Sequence, residues 1–227
     1  YGGMSNRTAA VSTPFLTPPY GRGLKIQPRE ELIEKVKWYH ALGYQIAVHA
    51  QGDDAISDTL DAFEAVLGSK STNPLRHRIE HVQLLHPKDE ARLANLQIIA
   101  SMQPIHAISD MQMADVYWGD RAAHAYAWRT QLDYGAKLVF GSDAPVDSPN
   151  PFWGLHAAIT RRRANGYPSP EGWYPEQRLN LHEALQAYTT GPAYAAGMED
   201  RLGKLAPNYL ADILVLDNDP FTCDADA

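Results

Sequence analysis

Short apolar runs alternate with amphipathic segments along this chain of 227 residues. The apolar runs predict strands at 44–48, 78–82, 97–101 and 137–140. Strands of a parallel sheet read as continuous apolar runs, because helices cover both of its faces. The β–α alternation repeats without hairpin signals, which is typical of an α/β fold with a parallel sheet.

The segments between the runs predict helices. One stripe follows helical spacing closely, at Ile56, Leu60, Phe63 and Leu67, and Asp53 or Asp54 is expected to cap its helix. Further helices are predicted at 29–42, 87–93, 122–134, 181–188 and 193–198. Residues 103–119 show no clear period, so we expect an irregular segment there, either functional or mobile.

The last thirty residues differ from the rest. Two short strands are predicted at 201–205 and 211–216, around a Pro-Asn turn, and a domain boundary is placed near Glu199. Thirty residues cannot build a core of their own, so these strands must pair with a partner outside this chain or pack on the preceding domain.

Composition narrows the class of protein. Hydrophobic residues make up 44% and charged residues 21%, as in ordinary globular domains. The net charge of -7 and the absence of a basic run argue against nucleic acid as a partner. No apolar stretch is long enough for a membrane span. The single cysteine, Cys223, excludes an intramolecular disulfide and fits a reducing, cytoplasmic location.

Three of the predicted strands end near a residue that can bind a metal. They are His49 in "VHAQGD", His81 in "RIEHVQ" and Asp143 in "FGSDAPV". In a barrel of parallel strands, functional side chains gather at the C-terminal ends. Zn²⁺ accepts neutral imidazole and carboxylate ligands and brings the pKa of its water to about 7. Asp143 would be both a ligand and the carrier of a proton.

Alternation along the strands predicts which side chains face inward. If His49 faces the barrel centre, so does Ala47. If His81 faces inward, so does Ile79, which leaves the charges of Arg78 and Glu80 outward among helices. Those two charges need partners, and we expect them either to form an ion pair or to support the metal ligands by hydrogen bonds.

A structural interpretation competes with the metal site. A single histidine at a strand end is more often a hydrogen-bonded core or rim residue than a ligand, and Gly-Ser-Asp is a common turn or helix cap. From spacing alone, metal ligands and structural histidines both remain possible.

Longer stretches of the chain resemble the amidohydrolase superfamily, in the branch of the N-substituted formamide deformylases. The stretches are "GYQIAVHAQGDDAI", "RHRIEHVQLL", "ASMQPIH", "LVFGSDAPVDSPNP" and "RLNLHEALQAYTTGPAYAAG". The resemblance implies the C-terminal half of a (β/α)8 barrel over residues 1–198. It also implies that residues 199–227 are strands of a small composite β-sandwich.

The resemblance also implies residue roles. His49 and His81 would end the fifth and sixth barrel strands as metal ligands, and Asp143, after the eighth, would be ligand and general base. Gln103 and His106, after the seventh, would lie near a small-molecule substrate. The implied reaction is hydrolysis of a C–N bond, in an amide, a formamide or a related compound, by water activated on a divalent metal, expected to be zinc.

The chain departs from the family pattern in one respect. The family's first strand carries a His-x-His pair and its fourth supplies another ligand, and this sequence contains neither. We therefore expect part of a longer enzyme. The alternatives are a catalytically incomplete half-barrel that forms homo-oligomers or joins the missing N-terminal half, and a metal-free binding or structural module. Open strand edges would favour such association.

Overall fold

The computed structural model describes residues 2–68 and 72–226. Residues 1 and 227, the outer limits of the two predicted domains, lie outside this part. Within it, the strands are β1 (Ala47–Ala50), β2 (Arg78–His81), β3 (Ile99–Met102) and β4 (Leu138–Phe140). The helices are α1 (Arg29–Ala41), α2 (Asp53–Leu67), α3 (Arg92–Asn95), α4 (Pro104–Trp118), α5 (Trp128–Asp133), α6 (Pro151–Thr160), α7 (Leu181–Tyr188) and α8 (Thr190–Ala195). No helix in the described ranges is both long and apolar enough to cross a membrane.

The chain divides into two compact units. The first unit comprises residues 1–102 and 109–138, and the second comprises residues 103–108 and 139–227.

The sheet has the strand order β1-β2-β3-β4, which is the order along the chain. β1 pairs in parallel with β2, and β2 pairs in parallel with β3. At the start of β4, the Ala100 amide donates to the Lys137 carbonyl oxygen at 3.0 Å. The predicted α/β fold with a parallel sheet is confirmed.

The first unit is built on the apolar stripe of α2. Ile56, Leu60 and Phe63 are fully buried, as their spacing predicts, and α2 packs against Leu32 and Val36 of α1. Burial of this stripe, rather than helix propensity alone, stabilises a helix of this length in water.

The cap of α2 differs from the prediction. Gly52 is the N-cap, and a Cβ there would lie 2.0 Å from the Ala10 carbonyl oxygen, so only glycine fits. The Asp53 carboxylate instead accepts hydrogen bonds from the amide and hydroxyl of Ser12. This contact ties the opening loop to the start of α2.

The strand that carries His49 begins later than predicted. β1 covers Ala47–Ala50 rather than 44–48, so His49 lies inside the strand. The Tyr44 amide is still bonded to the Tyr39 carbonyl of α1, and the Ile46 amide donates to Nδ1 of His77. Both amides therefore already have hydrogen-bond partners outside the sheet, and the pairing of β1 with β2 starts only at Ala47.

The prediction of an irregular segment at 103–119 is wrong, because residues 104–118 form α4. Its buried positions, Ala107, Met111, Ala114 and Trp118, do follow helical spacing. Further apolar residues on the other sides of the helix hide this period in the sequence, since amphipathicity is visible only when the opposite face is polar.

The second unit contains α6, α7 and α8. α7 begins with a reciprocal capping box, in which Asn180 and Glu183 each bond the other's backbone amide. The predicted strands at 201–205 and 211–216 are not formed, since residues 199–226 run as turns and extended chain. A strand is stable only when it pairs with a neighbouring strand. The composite β-sandwich therefore stays a prediction.

Candidate metal centre

The first unit brings His49 and His81 together. Their ring centroids lie 4.5 Å apart, with the ring planes at 72° to each other. The His81 side chain is buried, while His49 is exposed. Two imidazoles that meet where neighbouring parallel strands end are a common source of metal ligands.

The strand register corrects the predicted facing. His49 is paired with Glu80 and Ala47 with Arg78, and residues paired across a parallel ladder point to the same face. Arg78 and Glu80 therefore share the face of His49, whereas the fully buried Ile79 lies on the opposite face. The predicted placing of Arg78 and Glu80 among the helices is wrong.

The ion pair itself is confirmed. Nε of Arg78 lies 2.5 Å from a Glu80 carboxylate oxygen, and the Arg78 guanidinium also donates to Oε1 of Gln45 at 2.9 Å. These polar groups give the His49 face a fixed local arrangement of charge.

His81 reaches His49 by leaving the regular strand. Its φ is +80°, and that of Val82, which follows, is +47°. Two successive left-handed residues, one of them β-branched, are uncommon and cost of the order of 1–3 kcal/mol each. Such strain is concentrated at functional sites, and here it sets the direction of the His81 side chain.

The opening loop also reaches His49. Nε2 of His49 and the Gly2 carbonyl oxygen lie 2.6 Å apart, which makes Nε2 the protonated nitrogen in this bond. Two residues on, the Met4 amide donates to Oε1 of Gln51 at 2.8 Å. The loop thus bonds to the end of β1 on both sides of Gly3.

The second unit brings His106 and Asp143 together. A ring nitrogen of His106 and a carboxylate oxygen of Asp143 lie within 4.8 Å of each other. His106 lies in the first turn of α4, where its amide donates to the Gln103 carbonyl oxygen at 3.0 Å. Both Gln103 and His106 are buried, whereas Asp143 is exposed.

The backbone at Asp143 is left-handed as well, with φ of +57°. It follows β4 by three residues, and its carbonyl oxygen accepts from the Val146 amide at 2.9 Å, which closes a turn. The turn carries the carboxylate away from the strand and towards the first turn of α4.

His106 is kept neutral near neutral pH. Burial lowers its pKa, and the nearby carboxylates of Asp143 and Asp147 only partly oppose this effect. A neutral imidazole can bind a metal through one nitrogen or donate one hydrogen bond.

The predicted ligands are of residue types that divalent transition metals bind. Imidazole nitrogens from His49 and His81, and a carboxylate from Asp143, are ligands that Zn²⁺ and similar metals accept. Their residue types, and the strained backbone at His81 and Asp143, agree with that chemistry.

Asp147 was missed in the sequence, and Glu80 was assigned to the wrong face of its strand. Asp147 interacts with His106, and Glu80 shares the face of His49. Asp147 lies four residues after Asp143 in the same loop, a spacing that could have suggested a second carboxylate. Nothing local marks Glu80, because its side depends on the register between two strands.

The family model of the amidohydrolase family matches residues 1–227. The chain is similar to the putative amidohydrolase YtcJ of Bacillus subtilis, with 31% identity over 98% of this chain and 42% of that protein. It is also similar to the N-substituted formamide deformylase of Arthrobacter pascens, with 30% identity over 80% of this chain and 33% of that protein.

A solved structure shows the same fold. It is an uncharacterised metal-dependent hydrolase from Pyrococcus horikoshii OT3, with a TM-score of 0.85 and 30% identity over 99% of this chain and 44% of that one. The chain thus spans less than half the length of these relatives. With a family match over its whole length and this agreement in fold, the chain belongs to the amidohydrolase family.

Proposed function

We propose that this chain is the C-terminal part of a metal-dependent hydrolase that cleaves C–N bonds in amides, formamides or related small molecules. The pairing of His49 with His81, achieved by a left-handed backbone at His81, is the observation that carries the proposal. A strained turn that directs a histidine towards another histidine is hard to explain by packing alone.

The relatives support the class of reaction. Amidohydrolases and metal-dependent hydrolases are among the proteins that the chain resembles over most of its length. One relative is an N-substituted formamide deformylase, which points to a C–N bond as the bond that is cleaved.

His49, His81 and Asp143 would hold the metal, which we propose to be zinc. When bound, such a metal supplies an ionised water near neutral pH and polarises a carbonyl group. The ion pair of Arg78 and Glu80, on the same face as His49, would hold two opposite charges in fixed positions beside that ligand.

Asp143 would move the proton. As an exposed carboxylate on a tight turn, it can take a proton from the attacking water and deliver it to the departing nitrogen. His106 and buried Gln103 would orient the substrate carbonyl by hydrogen bonds. Gln103 has no basic group, and burial lowers the pKa of His106, so both leave the proton to Asp143.

We further propose that the longer protein is a (β/α)8 barrel with a small β-sandwich, and that residues 199–227 contribute to the sandwich. Relatives more than twice as long as this chain support that view. The cytoplasmic location stays a prediction, based on the single cysteine.

The test replaces Asp143 by Asn in the full-length protein. Asn keeps the shape of Asp but cannot accept the proton, so turnover of formamide or amide substrates should fall at least about a hundredfold. The matched control is Asp217→Asn, in the exposed C-terminal tail, which should leave turnover unchanged.

Metal content, measured by elemental analysis, completes the test. Full-length protein should hold metal in stoichiometric amount, and His81→Gln should lose most of it, while His182→Gln on the exposed side of α7 should retain it. Full activity in Asp143→Asn would refute the role of Asp143. Absence of metal from the full-length protein would favour the metal-free module. Metal in the full-length protein but not in this chain alone would favour the incomplete half-barrel.

A further inference from the structure

The second unit contains a cavity of about 570 Å³ that is separate from the residues proposed for the metal and the substrate. α6 and α7 form much of its wall, and the first turns of α4 and the C-terminal tail contribute to the remainder. Its apolar lining includes Ile105, Trp153, Ile159, Leu185 and Leu216. Protein interiors are closely packed, and a cavity of this volume with an apolar lining falls within the range of small-molecule sites.

The tail is held against α6 by an ion-pair cluster. One carboxylate oxygen of Asp226 accepts from Nε2 of His156 at 2.9 Å, and the other accepts from the Arg162 guanidinium at 2.6 Å. Arg162, with His156, lowers the pKa of the Asp226 carboxyl, so this group is ionised at neutral pH. The tail wall of the cavity is therefore fixed by charge.

A second carboxylate lies on the same wall without a basic partner. Asp224 lines the cavity, and in the described part of the chain no ion pair joins it to a lysine, arginine or histidine. One of its oxygens accepts from the Asp226 amide at 2.9 Å, which orients the side chain. The charge of Asp226 is compensated by Arg162, whereas the exposed carboxylate of Asp224 has no such partner among the described residues.

Two aromatic side chains complete the lining. Trp153 and Phe152 of α6 are 56% and 41% exposed, although both border the cavity. Aromatic faces attract cations as well as apolar groups. An apolar space with half-exposed aromatic rings and one unpaired carboxylate is suited to an apolar molecule that carries a positive charge.

We propose that this cavity is a binding site for a hydrophobic amine, with its apolar body between α6 and α7 and its ammonium group at Asp224. The site does not depend on the metal or on the proposed reaction, because none of its lining residues belongs to that set.

Isothermal titration of this chain with 2-phenylethylamine tests the proposal. The comparison ligands are 2-phenylethanol, which is neutral, and 3-phenylpropanoate, which is anionic and of similar size. We expect saturable binding of the amine, roughly three- to tenfold weaker binding of the alcohol, and weaker binding still of the acid.

Two variants locate the binding. Asp224→Asn keeps the oxygen that bonds the Asp226 amide and should reduce the affinity for the amine to that of the alcohol. Asp217→Asn makes the same change in charge on the same tail, outside the cavity lining, and should have no effect. Trp153→Ala, at a half-exposed position in the cavity lining, should weaken the binding of all three ligands.

Two results would overturn the proposal. One is the absence of saturable binding of the amine by a folded chain. The other is evidence that Asp224 does not select the charge, which would be either equal affinity for amine and alcohol or an equal loss in Asp224→Asn and Asp217→Asn.

Discussion

The His77 side chain is held in the core of the first unit by contacts on both ring nitrogens and on the ring face. It is fully buried, and Phe63 stacks on its ring at 5.3 Å. Nδ1 accepts from the Ile46 amide, so Nε2 carries the proton and donates to Nδ1 of His40 at 2.9 Å. Burial, with a smaller effect of His40, lowers the pKa of His77 to about 4.

This pKa predicts a loss of stability in mild acid. In the unfolded chain His77 takes up a proton near pH 6.5, whereas in the folded chain it does so only near pH 4. The unfolding free energy should therefore decrease as the pH falls through this window, by up to about 3 kcal/mol. Denaturant unfolding at pH 7, 6 and 5 measures the effect.

Matched variants separate His77 from the other histidines. His77→Gln should be less stable at pH 7, because it disturbs two buried hydrogen bonds, and should show a flatter pH dependence than the unmodified chain. His182→Gln, at an exposed position, should keep the original dependence. An unchanged pH profile in His77→Gln would contradict the assignment.

At the scale of elements, the contact between α6 and α7 depends on the absence of a side chain. A Cβ at Gly154 of α6 would lie 1.8 Å from the hydroxyl oxygen of Tyr188 on α7. Tyr188 also meets the ring of Phe140, with centroids 5.5 Å apart, and burial raises the pKa of its hydroxyl, which stays neutral. The glycine thus permits the two helices to approach closely.

Gly154→Ala should destabilise the second unit. Alanine is favoured over glycine in a helix by about 1 kcal/mol, but the overpacking against Tyr188 costs about 1–3 kcal/mol or more. We expect a lower thermal midpoint by circular dichroism, with partial recovery when Tyr188→Phe is added. Gly141→Ala, where a Cβ meets no atom within 4 Å, is the control. Equal midpoints for the two alanine variants would show that α7 can move away without cost.

At the scale of the whole chain, the first unit presents an open strand and an aromatic surface. β1 is the outer strand of the sheet order. Near it lie the aromatic side chains of Trp38, Tyr39 and Tyr44, each at least 42% exposed. Outer strands and apolar surface favour association with other chains, and the homo-oligomer expected from the sequence stays a prediction.

Light scattering coupled to size-exclusion chromatography tests that prediction. The measured mass of this chain should increase with concentration. In the double variant Trp38→Glu and Tyr44→Lys, the mass should shift towards that of the monomer. Tyr134→Lys, at another exposed tyrosine, should leave the mass unchanged. A monomer at all concentrations would argue against self-association through this surface.

The candidate site was predictable in its residue types but not in its geometry. The ends of apolar runs identified His49, His81 and Asp143, and the family resemblance added Gln103 and His106. Strand alternation placed Ile79 on the face of His49, whereas the register places Glu80 there. Alternation assumes a regular strand, and the left-handed backbone at His81 breaks that assumption.

The sequence by itself determined the α/β class, the stripe of α2 and the amidohydrolase family, because periodicity and motifs depend on residues close together in the chain. Only the tertiary structure decided the strand register, the helical state of α4, and the cavity between α6, α7 and the tail. Each of these depends on hydrogen bonds and packing between residues far apart in the chain, which local pattern does not record.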